Sequence, residues 1–350
     1  MKQQTFFRSA MAAAALALAG GAQAGVVFGL PASGLQGNIF RWDAAPRVIG
    51  GNERSLDGGL RFAVSGGSLD AFRNQFSWDV VPSSAAFSTA VQAAFGAWTR
   101  VDPVSGFGTD LSFNFDSATA VAGVTGGGIN RNGAEIDLIA TNDASFWDPG
   151  NNGLQGEAWF AGSGLKTTLT SGVANYSFSN AIAGADIYLN NNPGAVYTLD
   201  IFRRLLTHEI GHTIGLGDVE GDIQPGRFID DDFDGTNAGT IAATLNNSWA
   251  ARVNPLDPSG SAGLARYSIG SASTTPGVDL LMESRGLGIG PGNPLGNLDP
   301  MTNDEYGTRQ FLYPTLAPVP EAGTAAMLLA GLAIIGLASR RRARSLPPRG

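Results

Sequence analysis

Only two histidines occur among the 350 residues, His208 and His212, and they flank a glutamate in Thr207-His208-Glu209-Ile210-Gly211-His212. On a helix, residues four apart stack on one face, so both imidazoles can present a nitrogen to a single cation. Two such ligands leave room for water, and Glu209 beside the first of them can take a proton from it. The pattern is one for hydrolysis by metal-activated water. It assigns Zn2+ as the metal, His208 and His212 as ligands and Glu209 as general base.

A third ligand has to come from beyond the helix that carries the pair, so the helix must stop quickly. Gly215 stands where a left-handed residue would end it, and Asp218 follows three residues later. Asp218 is the expected third ligand, against a solvated turn residue, with Glu220 or Asp222 as alternative oxygen donors. The run HExxHxxGxxD resembles the zinc motif HExxHxxGxxH of the metzincin endopeptidases, in which aspartate takes the last position in a minority of families. A carboxylate there adds negative charge and should leave the metal a weaker Lewis acid than three imidazoles would.

The resemblance implies an α+β catalytic domain: a twisted mixed β-sheet, an active-site helix, a methionine turn beneath the metal and a C-terminal helix. For the turn it implies Met282, in Val278-Asp279-Leu280-Leu281-Met282-Glu283. Met301 fits less well, because it leads directly into Thr302 to Leu312. That segment resembles the closing helix of matrixin-like members, with its final Leu-Tyr pair at Leu312-Tyr313. The likeness extends from about Arg41 to Pro314, and its specific part is residues 208 to 218.

The elements that must position these residues can be read from pattern. Thr198 is the expected cap of the metal-binding helix, with Asp200 in its first turn, where negative charge suits the helix dipole. Ile201 and Leu205 share a stripe with His208 and His212, and the expectation is that this stripe is buried. Ser83 to Thr99 places Phe87, Val91, Phe95 and Trp98 at helical spacing, with Ser83 or Ser84 as cap and the aromatic stripe in the core. Arg41-Trp42 and Leu60 to Val64 belong to the first strands. Leu111 to Phe115, Glu135 to Ala140, Glu157 to Phe160 and Ala185 to Leu189 read as further strands between glycines and asparagines.

The insert between Asp218 and Met282 contains Asp230-Asp231-Asp232-Phe233-Asp234-Gly235. Alternate aspartates make Asp230, Asp232 and Asp234 candidate Ca2+ ligands, but the twelfth position of the loop is Ile241. An EF-hand requires a bidentate glutamate there, so the choice is between a looser Ca2+ site and a solvated acidic turn.

Composition narrows the classes. Glycine occurs 49 times and charged residues make up 15% of the chain, so it should be rich in turns, while 43% hydrophobic residues suffice for a core. With no cysteine, neither disulfides, a thiolate ligand nor a cysteine-based latency switch is available. The net charge is -8, a poor match for nucleic acid or anionic lipid.

Both ends read as targeting segments. Residues 1 to 24 have a basic start at Lys2 and Arg8, an apolar centre from Met11 to Leu18 and a small-residue cleavage site at Ala22-Gln23-Ala24, a secretory signal for signal peptidase. At the other end, Val319-Pro320-Glu321-Ala322 opens an apolar run from Ala322 to Ala338, closed by Arg340, Arg341, Arg342 and Arg344. This order resembles the PEP-CTERM sorting signals of Gram-negative bacteria, with Ala322 where a second proline is usual. It implies a transient membrane anchor, exosortase processing and a destination at the cell surface or outside it. The expected division is therefore a leader over 1–24, one metalloprotease domain over 25–314 and a sorting tail over 315–350.

The functional expectation is an exported zinc endopeptidase acting on protein or peptide substrates. The alternative is a non-catalytic surface or matrix protein on the same scaffold, which would have no need of Glu209. A purely structural zinc would normally be closed by four protein ligands, and no third histidine or cysteine exists to close it.

Overall fold

The computed structural model describes Phe28 and residues 40–101, 108–121, 129–143, 146–147, 153–163, 181–218, 281–282 and 303–313. At 167–168, 177–178, 180, 228–229, 266–267, 303, 304, 307, 310 and 311 the description is of backbone only. The leader, the sorting tail, Glu220, Asp222, Met301 and the candidate Ca2+ residues Asp230, Asp232 and Asp234 lie outside the described residues.

A six-stranded sheet forms the frame. Its strands are β1 (Phe40–Arg41), β2 (Leu60–Val64), β3 (Phe113–Phe115), β4 (Ile136–Thr141), β5 (Gly156–Gly162) and β6 (Asn180–Asn190). From one edge the order is β3, β2, β4, β6, all parallel. Two strands then share the far side of β6: β1 runs parallel to its start, and β5 runs antiparallel to the rest, Ala185 facing Phe160 and Ile187 facing Ala158. Among the described residues β5 pairs with β6 alone, so its other edge carries no strand.

Alternation along the strands sends Leu60, Phe62, Val64, Ile136, Leu138, Ala185, Ile187 and Leu189 into one apolar core. Two helices complete that core: α2 (Ser84–Ala97) and α3 (Leu199–Thr213). The short α1 (Leu69–Arg73) precedes α2, and α4 (Asn303–Leu312) closes the described chain. Ser68, Ser83 and Thr198 cap α1, α2 and α3, each hydroxyl accepting the amide three residues on, Ala71, Ala86 and Ile201. Phe62 stacks on Phe95 with ring centroids 4.0 Å apart. Phe72, Phe76, Trp78, Phe87, Tyr197 and Phe202 meet largely edge-on or tilted, the favoured arrangement for aromatic rings.

The opposite face of the sheet is unusual for its buried charge. Asp137 of β4 and Asp186 of β6 stand side by side in register, 0% and 1% exposed. The loop before β4 covers them: the Ala134 amide donates to Asp137 Oδ1 at 3.0 Å and the Asn130 amide to Asp186 Oδ2 at 2.9 Å. Arg54, also buried, holds the same loop by donating to the carbonyls of Arg131, Gly133 and Ala134. Asp137 Oδ2 has no hydrogen-bond partner. Burial, reinforced by the neighbouring Asp186 charge, pushes the Asp137 carboxyl up to about 7. Burial likewise pushes Asp186 up to about 6.

Candidate metal centre

Helix α3 ends where its ligands need it to end. The Leu216 amide returns to the Gly211 carbonyl at 3.0 Å and the Gly215 amide to the His212 carbonyl at 2.9 Å, the paired bonds of a Schellman closure. Gly215 adopts φ +100°, and a Cβ there would lie 2.4 Å from the Phe40 carbonyl oxygen, so only glycine fits. Three aromatic side chains fasten this end of the helix. Trp98 Nε1 donates to the Thr207 carbonyl and Trp42 Nε1 to that of Thr213, both at 2.9 Å, and the Tyr313 hydroxyl donates to that of Ile214 at 2.7 Å. The carbonyls of Thr213 and Ile214, which lie past the helical ladder, are thereby satisfied.

The stripe expected to be buried is buried over most of its length: Leu205, His208 and His212 are 2%, 4% and 7% exposed, and Leu205 belongs to the core. Phe202, Leu206, Ile210 and Ile214 form a second stripe that enters the same core. Ile201 and Leu205 line the cleft together with His208 and His212, and Ile201 is only partly buried. β5 packs against α3, and the histidine stripe lines a cleft of about 560 Å3. Phe28, Trp147, Leu154 and Gly156 contribute further walls.

The two imidazoles are set by carbonyls. His208 Nδ1 lies 2.6 Å from the Leu281 carbonyl and His212 Nδ1 lies 2.9 Å from that of Leu216. Donation from both Nδ1 atoms puts the lone pairs on Nε2, facing the cleft. The rings stand edge to face with centroids 4.6 Å apart. Asp218 Oδ1 comes 3.4 Å from His208 Nε2 and 3.2 Å from His212 Nε2. One ligand atom from each of the three residues lies within 4.8 Å of the others.

The fit to zinc can be tested on these distances. Nitrogen and oxygen donors about 2.0–2.1 Å from a tetrahedral Zn2+ are separated from one another by about 3.3 Å. Asp218 Oδ1 meets both histidines at that spacing, the side chain being half-buried at the mouth of the cleft. The three donors converge on one point, at the spacing a shared cation requires. Electrostatics points the same way. Burial pushes His208 down, but the Asp218 carboxylate and the Glu209 charge carry it up to about 9. Burial raises Asp218, yet the two histidines outweigh it and hold the carboxyl well below its ordinary range. A trio that draws a proton so strongly draws positive charge in general, and a bound metal would displace that proton.

Glu209 is 3% exposed and its Oε2 has no hydrogen-bond partner. Burial pushes its carboxyl up against the pull of His208 and His212. It lines the cleft against Gly156, where a Cβ would come within 2.5 Å of Glu209 Oε1. Gly156 therefore makes the space for this carboxylate, a role no local pattern announces among 49 glycines. Met282 lies at the opposite side of the helix: its Sδ would meet a Cβ on Gly211 at 2.6 Å, and its amide donates to Glu305 Oε1 of α4 at 3.1 Å. Leu281 and Met282 thus support the segment between the two histidines.

Residues 318–342 match the family of the PEP-CTERM protein-sorting motif. This stretch carries a signal for export and membrane-anchored sorting in Gram-negative bacteria, with processing by exosortase. No curated protein and no solved structure matches the chain. No helix among the described residues is long and apolar enough to cross a membrane, and the apolar run Ala322 to Ala338 lies outside them.

Proposed function

We propose that the chain is an exported zinc endopeptidase of metzincin type, hydrolysing peptide bonds in protein or peptide substrates. The observation that carries this reading is the convergence of His208, His212 and Asp218 on one point, with the buried, unpartnered Glu209 carboxylate beside it. Zn2+ held by this trio would polarise the scissile carbonyl and acidify a water. Glu209 accepts the proton of the attacking water and passes it to the leaving amine. The start of β5 borders the cleft through Gly156, Glu157 and Ala158. Its outer edge, unpaired among the described residues, can hydrogen-bond an extended peptide, aligning the backbone across the trio. Ile201, Leu205, Leu154 and Trp147 offer apolar walls for a side chain near the scissile bond.

Glu209→Gln tests the proposal, because it keeps size and hydrogen-bonding reach but removes the base. Zinc content and melting temperature should stay near wild type while cleavage of an unfolded protein substrate at neutral pH falls by roughly 100-fold or more. Ca2+ is included to fill the Asp230–Asp234 loop should it bind the ion. Equal activity in both proteins would remove Glu209 as the base. Zinc-loaded wild type that cleaves neither proteins nor peptides would favour the non-catalytic scaffold instead.

A further inference from the structure

Phe28 is the member of the cleft most distant in sequence from the metal helix, and its backbone is tied on both sides. Its amide donates to the Gly215 carbonyl at 3.0 Å and its carbonyl accepts from the Phe40 amide at 3.2 Å. Gly215 begins the turn between His212 and Asp218, while Phe40 opens β1. Phe28 therefore joins the turn that carries the third donor to the edge of the sheet. Its ring lies 5.6 Å from the His212 ring and 5.1 Å from Phe160, centroid to centroid, and Phe40 packs on Phe160 as well.

We propose that Phe28 is a positioning residue of the metal centre, its ring restricting the rotation of the His212 imidazole and its amide fixing the turn that leads to Asp218. The proposal rests on reading the trio as a zinc site. Rotation about the outer torsion of a histidine is broad and roughly two-fold, and besides the Nδ1 bond to Leu216 the ring has, among the described residues, only the polar contact with Asp218, which itself depends on the turn. A packed aromatic neighbour restricts that freedom. Two of the three donors then depend on one residue that contributes no donor atom itself.

The test uses the mature exported protein carrying Phe28→Ala, Phe28→Leu or Phe28→Tyr, with Asp218→Ala as reference. Zinc affinity is measured by competition with a chelator, the visible spectrum of the Co2+-loaded protein reports ligand geometry, and melting of the metal-free protein reports the fold. Phe28→Ala should lose about 10- to 100-fold in zinc affinity, the range for residues that orient ligands. Its Co2+ spectrum should change, its metal-free melting should stay close to wild type, and Phe28→Tyr should restore affinity and spectrum. Should Phe28→Ala fail to fold, Phe28→Leu carries the same expectation in weaker form. Unchanged affinity and spectrum in the Ala and Leu variants, while Asp218→Ala loses zinc, would overturn the proposal and leave the zinc site standing. A loss of metal-free stability that Phe28→Tyr does not repair would make Phe28 a fold residue only. Wild type binding neither Zn2+ nor Co2+ would overturn the zinc reading itself, and this proposal with it.

Discussion

Replacing Asp137 by Asn should change how stability depends on pH. Asp137 is raised to about 7 in the folded chain, first by burial and then by Asp186, whereas an unfolded aspartate titrates near 3.9. Between these values the native state binds more protons than the unfolded state, so the stability this group contributes is complete below about pH 4. It is lost as pH rises through 7. Asp186, raised to about 6, acts in the same direction. The Asp137 carboxyl alone corresponds to on the order of 3 kcal/mol across that window. Asparagine removes the charge and keeps the acceptor for the Ala134 amide. Denaturant titrations from pH 5 to pH 8 at fixed ionic strength and zinc should show Asp137→Asn gaining on wild type by roughly 2–3 kcal/mol as pH rises. Histidine protonation at the metal trio affects both proteins alike and cancels in the difference. Parallel stability curves, with a constant gap across the range, would refute the reasoning.

Other expectations follow from the same geometry. Gly156→Ala places a methyl against Glu209 Oε1 and Cγ, so cleavage should fall steeply while zinc content holds; full activity would mean that Glu209 has room to move without cost. His208→Ala and His212→Ala should each abolish zinc in elemental analysis, and Asp218→Ala should weaken binding without eliminating it. Zinc bound as tightly by Asp218→Ala as by wild type would place the third ligand elsewhere. Deleting Val319 to Ala322, at the start of the matched sorting motif, should block processing but not export, as read by the size and membrane association of the exported protein.

Local signals made α3 legible. Thr198, Asp200 and Gly215 are punctuation that works within one or two turns, and the structure uses Thr198 as cap and Gly215 as the left-handed stop. The aromatic stripe of α2 was equally plain, since Phe87, Val91, Phe95 and Trp98 are all buried. The buried histidine stripe was legible too, through Leu205, but that the adjacent stripe Phe202, Leu206, Ile210 and Ile214 is buried with it was not, because the helix is enclosed by neighbours distant in sequence. The contacts of Trp42, Trp98 and Tyr313 with the end of α3 span 171, 109 and 99 residues, beyond any periodicity. Phe28 escaped notice for the same reason. Asp137 and Asp186 were hidden by the ordinary assumption that polar residues on alternate strand positions face water. Here the loop from Asn130 to Ala134 covers them.

Tyr313 ties the end of α4 to the metal helix through the Ile214 carbonyl, and the matched sorting motif begins at residue 318. Only 318 - 313 = 5 residues separate that latch from the motif, a leash of at most about 17 Å when fully extended. An anchor through the motif would hold the cleft in a thin shell above the membrane before processing, where it would meet chiefly what is displayed or secreted there. On the proposed endopeptidase reading, severing the tail would leave the chemistry as it was and change its geography, from a fixed radius to free diffusion.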